Sequence, residues 1–206
     1  MKIYDVEGFP NPARVRIALA EKSATDKVEF IPIDVMNGEH RSDAFRQKNP
    51  DAAVPLLELE DGTCVSHCTA ITEYIDAAFD GAALCGETAK DRAVVHMMNR
   101  RAESGLLDAV GDYFHHATPG LGPALETYQN AEWGSRRKDT ALATMRYLDG
   151  VLSENDYLAG DRFSMADITA FAGLAFADFA KLDIPSELGN LKAWRARVAS
   201  RPSIAA

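Results

Sequence analysis

The sequence has little cysteine, fewer basic than acidic residues, and no long uninterrupted apolar run. Its three cysteines, Cys64, Cys68 and Cys85, are an odd and sparse set among 206 residues. Such a set favours a reducing compartment over a secreted disulfide framework. Lysine and arginine number 22 against 31 aspartates and glutamates, a net charge of −9. Because nucleic acids and anionic membranes are bound through basic surfaces, neither is expected as a partner.

Signals for membrane insertion or export are also missing. The longest apolar stretch, about 168–179, is interrupted by Asp178 and is shorter than the ~20 residues that cross a bilayer. The N-terminal residues MKIYDVEGFP include two acids and lack the apolar core of a signal peptide. We therefore expect a cytoplasmic protein that does not enter a membrane.

Several chemical motifs are absent as well. No C-x-x-C motif indicates thioredoxin-type redox chemistry. The pair Gly120-x-Gly122 lacks the third glycine and the preceding strand of a dinucleotide-binding loop. Cys64, His67 and Cys68 form a small cluster, but no second ligand pair stands at zinc-binding spacing. No metal site is predicted.

The first 80 residues mix strand and helix patterns. Alternation and turn signals predict strands at about 2–5, 28–30, 55–60 and 63–65, and helical spacing predicts helices at about 13–22, 41–48 and 68–79. The dipeptide Asp61-Gly62 between the last two strands is typical of a tight β-hairpin. These patterns predict a compact α/β unit.

From residue 84 onward only helical patterns remain. The predicted helices run over about 88–117, 123–154, 165–181 and 188–200, and the stretch 80–87 is the predicted linker. Ser164-Met165-Ala166-Asp167 is a capping-box variant that introduces a wide apolar stripe. We therefore expect two domains, an α/β domain at 1–80 and an all-α domain at 88–206.

Three stretches resemble the cytosolic glutathione transferases. Residues 10–22 resemble the first helix of that family, Val54-Pro55-Leu56-Leu57-Glu58 its cis-proline loop, and residues 160–168 its second-domain capping box. Residues 113–122 resemble a fungal and bacterial class that lacks the usual activating Tyr, Ser or Cys. The resemblance implies a thioredoxin-like glutathione-binding domain, a helical domain that contributes the electrophile pocket, reduced glutathione as co-substrate, and a homodimer.

The resemblance also implies how glutathione is bound. A cis Pro55 would turn the backbone of Val54 toward the cysteinyl part of glutathione, although a trans proline opening an edge strand fits the sequence too. His67 and Cys68 stand where the family commonly has an acid and a Ser or Thr that grip the γ-glutamyl ammonium and carboxylate. His40 resembles the basic residue that reaches the glycyl carboxylate, the alternative being a solvated loop histidine.

His67 is the main departure from the family pattern. A neutral histidine accepts only one hydrogen bond and a protonated one repels an ammonium, while Cys68 donates more weakly than a hydroxyl. Weaker glutathione affinity is therefore expected. The alternative is that His67 only caps the following helix.

The thiol of glutathione must be activated by groups other than a serine or cysteine side chain. None stands between Glu7 and Asn11, and Tyr4 is expected to be buried in the first strand. We predict that the N-terminus of the first helix, with Asn11, stabilises the thiolate and that Phe9 lines the substrate pocket. A helix dipole contributes ~0.3–1 kcal/mol, up to ~2 when partly buried, and a charge-assisted hydrogen bond ~1.5–3 kcal/mol.

A second candidate group lies near the end of the long helix at 88–117. Adjacent helical residues point about 100° apart, so one of His115 and His116 is expected to line the electrophile pocket with Tyr113 or Thr118 and to hold an activating water. The alternative is an interaction of these histidines with the helix dipole.

The sequence therefore predicts an enzyme of detoxification that conjugates reduced glutathione to small apolar electrophiles. A glutathione-binding regulatory protein without catalysis and a glutathione-dependent peroxidase remain as alternatives.

Overall fold

A computed structural model describes residues 1–205. It divides the chain into two compact units, Met1–Leu84 and a second unit that begins at Cys85. The division falls inside the stretch 80–87. Within residues 1–205, no helix has the length and apolar character needed to cross a membrane.

The first unit contains a four-stranded mixed sheet and three helices. In chain order these are β1 (Lys2–Asp5), α1 (Pro10–Glu21), β2 (Glu29–Pro32), α2 (Asp43–Lys48), β3 (Leu56–Glu58), β4 (Cys64–Ser66) and α3 (Cys68–Ala78). The strand order is β2-β1-β3-β4, with β1 and β2 parallel and the other pairs antiparallel. The predicted order of elements and the hairpin at Asp61-Gly62 are confirmed.

Helix α1 begins three residues earlier than the sequence predicted. We expected the helix to start at about Ala13, but it starts at Pro10. Proline suits the first helical turn because the N–H it lacks has no partner there in any case. Pro10 and Pro12 therefore open the helix, although they resemble a turn in the sequence.

The two faces of the sheet pack differently. Side chains alternate along a strand, so Ile3 and Leu57, which pair across β1 and β3, share one face, and Tyr4 and Leu56 share the other. On the second face, Leu56 forms a buried cluster with Ile33, Val35 and Phe45. Phe9 and Val54 are partly buried against the same cluster. The core thereby fixes the loops that precede α1 and β3.

The second unit is built of helices, with one isolated β-bridge between Tyr157 and Gly160 in its described part. Its helices are α4 (Ala89–Ala102), α5 (Asp108–Ala117), α6 (Ala131–Leu152), α7 (Met165–Phe179), α8 (Gly189–Ala199) and the short α9 (Pro202–Ala205), which was not predicted. The predicted helix over 88–117 is one helical stretch, but Glu103–Leu107 in its middle has π-helical bonding.

The helix predicted from Pro123 instead begins at Ala131. Asn130 caps it by accepting the N–H of Trp133 at 3.0 Å. The residues before it form turns, with Gly122 at a φ of 96° that favours glycine. The prediction was wrong because the segment 118–130 is held by side-chain hydrogen bonds that apolar periodicity does not reveal.

Asp167 holds together the core of the second unit. It is fully buried in the predicted capping box, where it accepts the N–H and O–H of Ser164, each at 3.0 Å. Its other oxygen accepts the N–H of Leu158 and the indole N–H of Trp194, both at 3.0 Å. Burial raises the pKa of Asp167 to about 6. One carboxyl group thus ties α7 to α8 and to the loop before it.

The substitution Asp167→Ala should be strongly destabilising. It leaves three buried N–H groups without an acceptor, and each such group costs about 1–3 kcal/mol. We expect the free energy of unfolding, measured by denaturant titration, to fall by at least about 3 kcal/mol. Asp161→Ala, at an exposed acid nearby, should change it by less than about 0.5 kcal/mol.

The loss in the free energy of unfolding caused by Asp167→Ala should also depend on pH. The pKa of Asp167 is higher in the folded than in the unfolded protein, so this group stabilises the fold most at low pH and less as the pH rises through about 6. The difference between wild type and Asp167→Ala should therefore be larger at pH 4 than at pH 7. A difference that grows with pH would contradict this assignment.

Candidate functional site

The N-terminal ends of α1 and α3 meet in the first unit. The thiol of Cys68, the first residue of α3, donates to the backbone carbonyl of Asn11 at 3.3 Å and lies 3.7 Å from Asn11 Oδ1. Cys68 is buried. The structure therefore brings together two of the predicted site residues, with the Cys68 thiol directed toward α1.

Helix α1 directs one backbone donor outward from its first turn. Pro10 and Pro12 have no N–H, and the N–H of Ala13 bonds to the carbonyl of Phe9 at 3.0 Å. The N–H of Asn11 remains, and within residues 1–205 no acceptor is found for it. An anion at this helix end would therefore be bound by Asn11 and by the positive end of the dipole.

The side chain of Asn11 is oriented by a residue that our sequence reasoning missed. Arg14, 4% exposed, donates from Nη1 to Asn11 Oδ1 at 3.0 Å. Because Oδ1 accepts this bond, the amide nitrogen Nδ2 is turned the other way and remains a donor. The signal was the arginine at position 14, three residues after Asn11.

The loop between α2 and β3 carries the predicted backbone-binding residues. The Val54–Pro55 peptide bond is cis, as expected, so the alternative of a trans proline is wrong. Asn49, 1% exposed, organises the loop: its Nδ2 donates to the carbonyl of Ala53 at 2.7 Å, and its Oδ1 accepts the N–H of Asp51 at 3.2 Å. No pattern in the sequence indicates this role for Asn49.

His67 precedes α3 with a φ of 66°, an uncommon conformation for a residue other than glycine. His67 occupies the N-cap position of α3, where its backbone carbonyl accepts the N–H of Ile71 at 3.0 Å, but its side chain makes no capping hydrogen bond. Instead, Nε2 lies 3.2 Å from Oδ2 of Asp51. An acid therefore stands beside the histidine that replaces the family's acid.

His40 lies in the short turn before α2 and is buried, with 8% of its surface exposed. The alternative of a solvated loop histidine is therefore wrong. Burial, together with the charges of Arg41 and Arg46, lowers the pKa of His40. Its Nδ1 is buried, and no hydrogen-bond partner for it is found among the described residues.

Tyr4 lies in β1 as expected, but it is only partly buried there. Its hydroxyl donates to Glu58 Oε2 at 2.6 Å, and Lys48 binds the same oxygen. The hydrogen bond to Glu58 and burial raise the pKa of Tyr4. Tyr4 is therefore not available as a thiol-activating residue.

In the second unit, the two adjacent histidines at the end of α5 use Nδ1 differently. His115 Nδ1 lies 2.7 Å from Glu126 Oε1, whereas His116 Nδ1 accepts the backbone N–H of Asn130 at 3.1 Å. A neutral His115 paired with a carboxylate carries its proton on Nδ1, which leaves Nε2 as an acceptor. A neutral His116 has the reverse arrangement, with its proton on Nε2.

These contacts hold the segment 118–130 in place. Burial opposes ionisation of Glu126, but the N–H of Leu121 and the imidazole of His115 outweigh it and lower the pKa of Glu126. Thr118 donates its hydroxyl to the carbonyl of Phe114 at 2.6 Å and accepts the N–H of Gly120 at 3.1 Å. The histidines therefore bind side chains and backbone of this segment. Both also stand in the last turn of α5, as the alternative of an interaction with the helix dipole requires.

The other two residues predicted for the substrate pocket are both half-buried. Tyr113 in α5 lies beneath Lys138, whose Nζ is 5.4 Å from the ring centroid. Phe9 precedes α1 and packs against the cluster of Ile33, Val35, Phe45 and Leu56. Their part in electrophile binding stays a prediction.

Comparison with known proteins decides the family. The glutathione S-transferase N-terminal domain model matches residues 1–77, and the C-terminal domain model matches residues 119–202. The chain belongs to the glutathione S-transferase family. The resemblance recognised in the sequence is thereby confirmed, together with the fold class of a thioredoxin-like domain followed by a helical domain.

Relatives resemble the chain over almost its whole length. Glutathione S-transferase 2 of Saccharomyces cerevisiae is 55% identical over 99% of this chain and 88% of that protein. The crystal structure of Gtt2 from the same yeast has a TM-score of 0.97 at 55% identity, covering 100% of this chain and 99% of that one. A glutathione S-transferase domain-containing protein from Marinobacter aquaeolei has a TM-score of 0.98 at 68% identity, covering 99% and 100%.

The protein is therefore a glutathione transferase of the Gtt2-like class. The co-substrate of this family is glutathione, as predicted.

The substitution Asn49→Ala tests whether the loop 49–55 carries the binding site. It removes both hydrogen bonds that shape the loop, so we expect a loss of about 1–3 kcal/mol in the free energy of unfolding and a glutathione Kd raised at least about fivefold, equivalent to ~1 kcal/mol. Denaturant titration and calorimetry measure the two quantities. Gln47→Ala, at an exposed position of α2, is the matched control. A loss of stability with unchanged affinity would place the binding site elsewhere.

Proposed function

We propose that this transferase conjugates reduced glutathione to small apolar electrophiles and stabilises the thiolate at the N-terminus of α1. The observation that carries the proposal is the convergence of helix ends at Asn11. Its N–H and its Nδ2 are both donors on the outer side of the first turn, and Cys68 and Arg14 hold the residue from behind. A thiolate is the reactive form of glutathione, and donors of this kind favour it.

The rest of glutathione is proposed to bind along the same unit. The backbone N–H and carbonyl of Val54, next to the cis Pro55, pair with the cysteinyl residue in the manner of a β-strand. The first turn of α3, from Cys68, receives the γ-glutamyl carboxylate because N–H groups at a helix start favour anions. His40, with its buried unpaired Nδ1 and two neighbouring arginines, receives the glycyl carboxylate.

The energetics permit activation without a tyrosine. The dipole of α1 contributes ~0.3–2 kcal/mol, and one charge-assisted hydrogen bond from Asn11 contributes ~1.5–3 kcal/mol. Since 1.36 kcal/mol corresponds to one pKa unit, together they would lower the pKa of the bound thiol by about one to three.

His115 is the better candidate of the two histidines for holding an activating water. Its pairing with Glu126 leaves Nε2 as an acceptor, and the carboxylate stabilises the imidazolium that forms when the ring takes a proton. His116 instead supports the chain before α6 through Asn130. We propose that Tyr113 and Thr118 contact the electrophile in the second unit, and that Phe9 contributes from the first.

We further propose that the protein acts as a homodimer in the cytoplasm and serves detoxification. The three cysteines are free, as suits a reducing compartment. Met97 is exposed on helix α4, one turn before Arg100. Arg100 Nη1 lies 3.7 Å from Glu103 Oε2. An exposed methionine beside charged residues fits a surface that contacts a second copy.

Calorimetry with glutathione, together with thiolate absorbance recorded against pH, tests the proposal. We expect binding at millimolar glutathione or below and a bound thiol pKa lowered by about one to three. Asn11→Ala should raise that pKa by about one, the effect of a lost charge-assisted bond. Gln47→Ala should not change it. Absence of binding would refute the proposal. Binding without a lowered thiol pKa would favour the regulatory alternative, and turnover of organic hydroperoxides would favour the peroxidase.

The histidines should differ in what their removal changes. His115→Ala should reduce kcat about 10²-fold or more, the usual contribution of a general base. His116→Ala should lower the melting temperature because the N–H of Asn130 loses its acceptor, and it should reduce kcat much less. Turnover with a model electrophile and thermal unfolding measure these effects. Two variants with wild-type turnover would refute the role of this pair.

A further inference from the structure

The replacement of the family's acid by His67 leaves the γ-glutamyl ammonium without the carboxylate expected at that position. An ammonium presents three N–H donors and requires acceptors. His67 offers at most one acceptor, and only when it is neutral. If glutathione binds at the start of α3, as proposed above, another residue must supply the negative charge.

Asp51 lies where that charge is needed. Its Oδ2 is 3.2 Å from Nε2 of His67, the residue that directly precedes α3. The Asp51 side chain is 51% exposed and the His67 side chain 77%, so both can reach a ligand in solution. Exposed polar contacts of this kind contribute little to stability, so the contact is not explained by folding alone.

The loop holds Asp51 at a fixed position. The buried side chain of Asn49 accepts the N–H of Asp51 at 3.2 Å, and the carbonyl of Asn49 accepts the N–H of Ala52 at 3.0 Å. Ala52 has a φ of 51°, which turns the chain back toward Val54. Asp51 and the cis Val54–Pro55 bond therefore belong to one short loop with internal support.

We infer that Asp51 is the residue that recognises the γ-glutamyl ammonium, with His67 as its positioning residue. A neutral His67 that donates from Nε2 to Oδ2 leaves the other carboxylate oxygen of Asp51 free to accept an ammonium N–H. The γ-glutamyl group carries its ammonium and its carboxylate on the same carbon. The Asp51 carboxylate, beside the start of α3, can therefore bind the ammonium while the helix end binds the γ-glutamyl carboxylate. This inference rests on the proposed binding mode and adds the specificity-determining residue to it.

The test compares glutathione with its desamino analogue, glutaryl-cysteinyl-glycine, which lacks only the amine. Calorimetry on the wild type should give tighter binding of glutathione. In Asp51→Asn the glutathione Kd should rise about tenfold, a typical loss for one charged hydrogen bond. The Kd of the desamino analogue should stay within about twofold. Glu60→Gln removes the same charge from an exposed position of the first unit and should leave both constants unchanged.

A second variant separates the effect of the lost negative charge from an effect on the shape of the loop. In the double variant Asp51→Asn/His67→Glu a carboxylate returns on the neighbouring residue, so the preference for glutathione over the analogue should recover at least about threefold. If Asp51→Asn weakens both ligands equally, weakens neither, or is not rescued by His67→Glu, the inference is wrong. Wild type that binds no glutathione would instead refute the proposed function itself.

Discussion

The contact between the Cys68 thiol and the Asn11 carbonyl joins two helix N-termini that are 57 residues apart in the sequence. Each helix start carries about half a positive charge, and two of them side by side repel one another unless an anion lies between them or beside them. The buried guanidinium of Arg14 donates to Asn11 Oδ1 behind the same point. The local field at the end of α1 and α3 is therefore positive in a protein whose net charge is −9.

These two facts are compatible because distant charges are screened. At physiological ionic strength the Debye length is about 8 Å, so surface acids farther away contribute little at the helix ends. The acidic balance still has an effect: it argues against extended anionic partners, which would contact many surface charges at once. A small anionic tripeptide, bound at the helix ends as we propose, would meet chiefly the local donors.

Much of the fold could be predicted because its signals lie between neighbouring residues. The Asp61-Gly62 hairpin and the capping box of Ser164 and Asp167 each depend on groups within a few positions, and both are present in the structure. The segment 118–130 could not be predicted in this way. Its course depends on bonds such as His115 to Glu126, eleven residues apart, and nothing in a hydrophobic pattern distinguishes these polar residues from those of an exposed helix.

The residues of the candidate site likewise divide into those that could be predicted from the sequence and those that depend on the fold. Val54, Pro55, His67 and Cys68 could be proposed because the resemblance marks their positions, and Asn11 because it opens a helix. Arg14 and Asn49 were missed because their roles follow from burial, which single polar residues in a sequence do not reveal. Asp51 was missed because it becomes relevant only when the fold places it beside His67.

In the binding mode that we propose, the loop at 49–55 supplies the negative charge that the family commonly carries at the position of His67. A binding group is effective when the folded protein already holds it in place, because little ordering is then needed on binding. Asn49 provides that order for the backbone of Val54 and for the carboxylate of Asp51 alike, through hydrogen bonds formed in the interior. The position of an acid in the sequence is therefore less constrained than its position relative to the start of α3. A histidine at position 67 is compatible with glutathione recognition as long as the neighbouring loop supplies the acid.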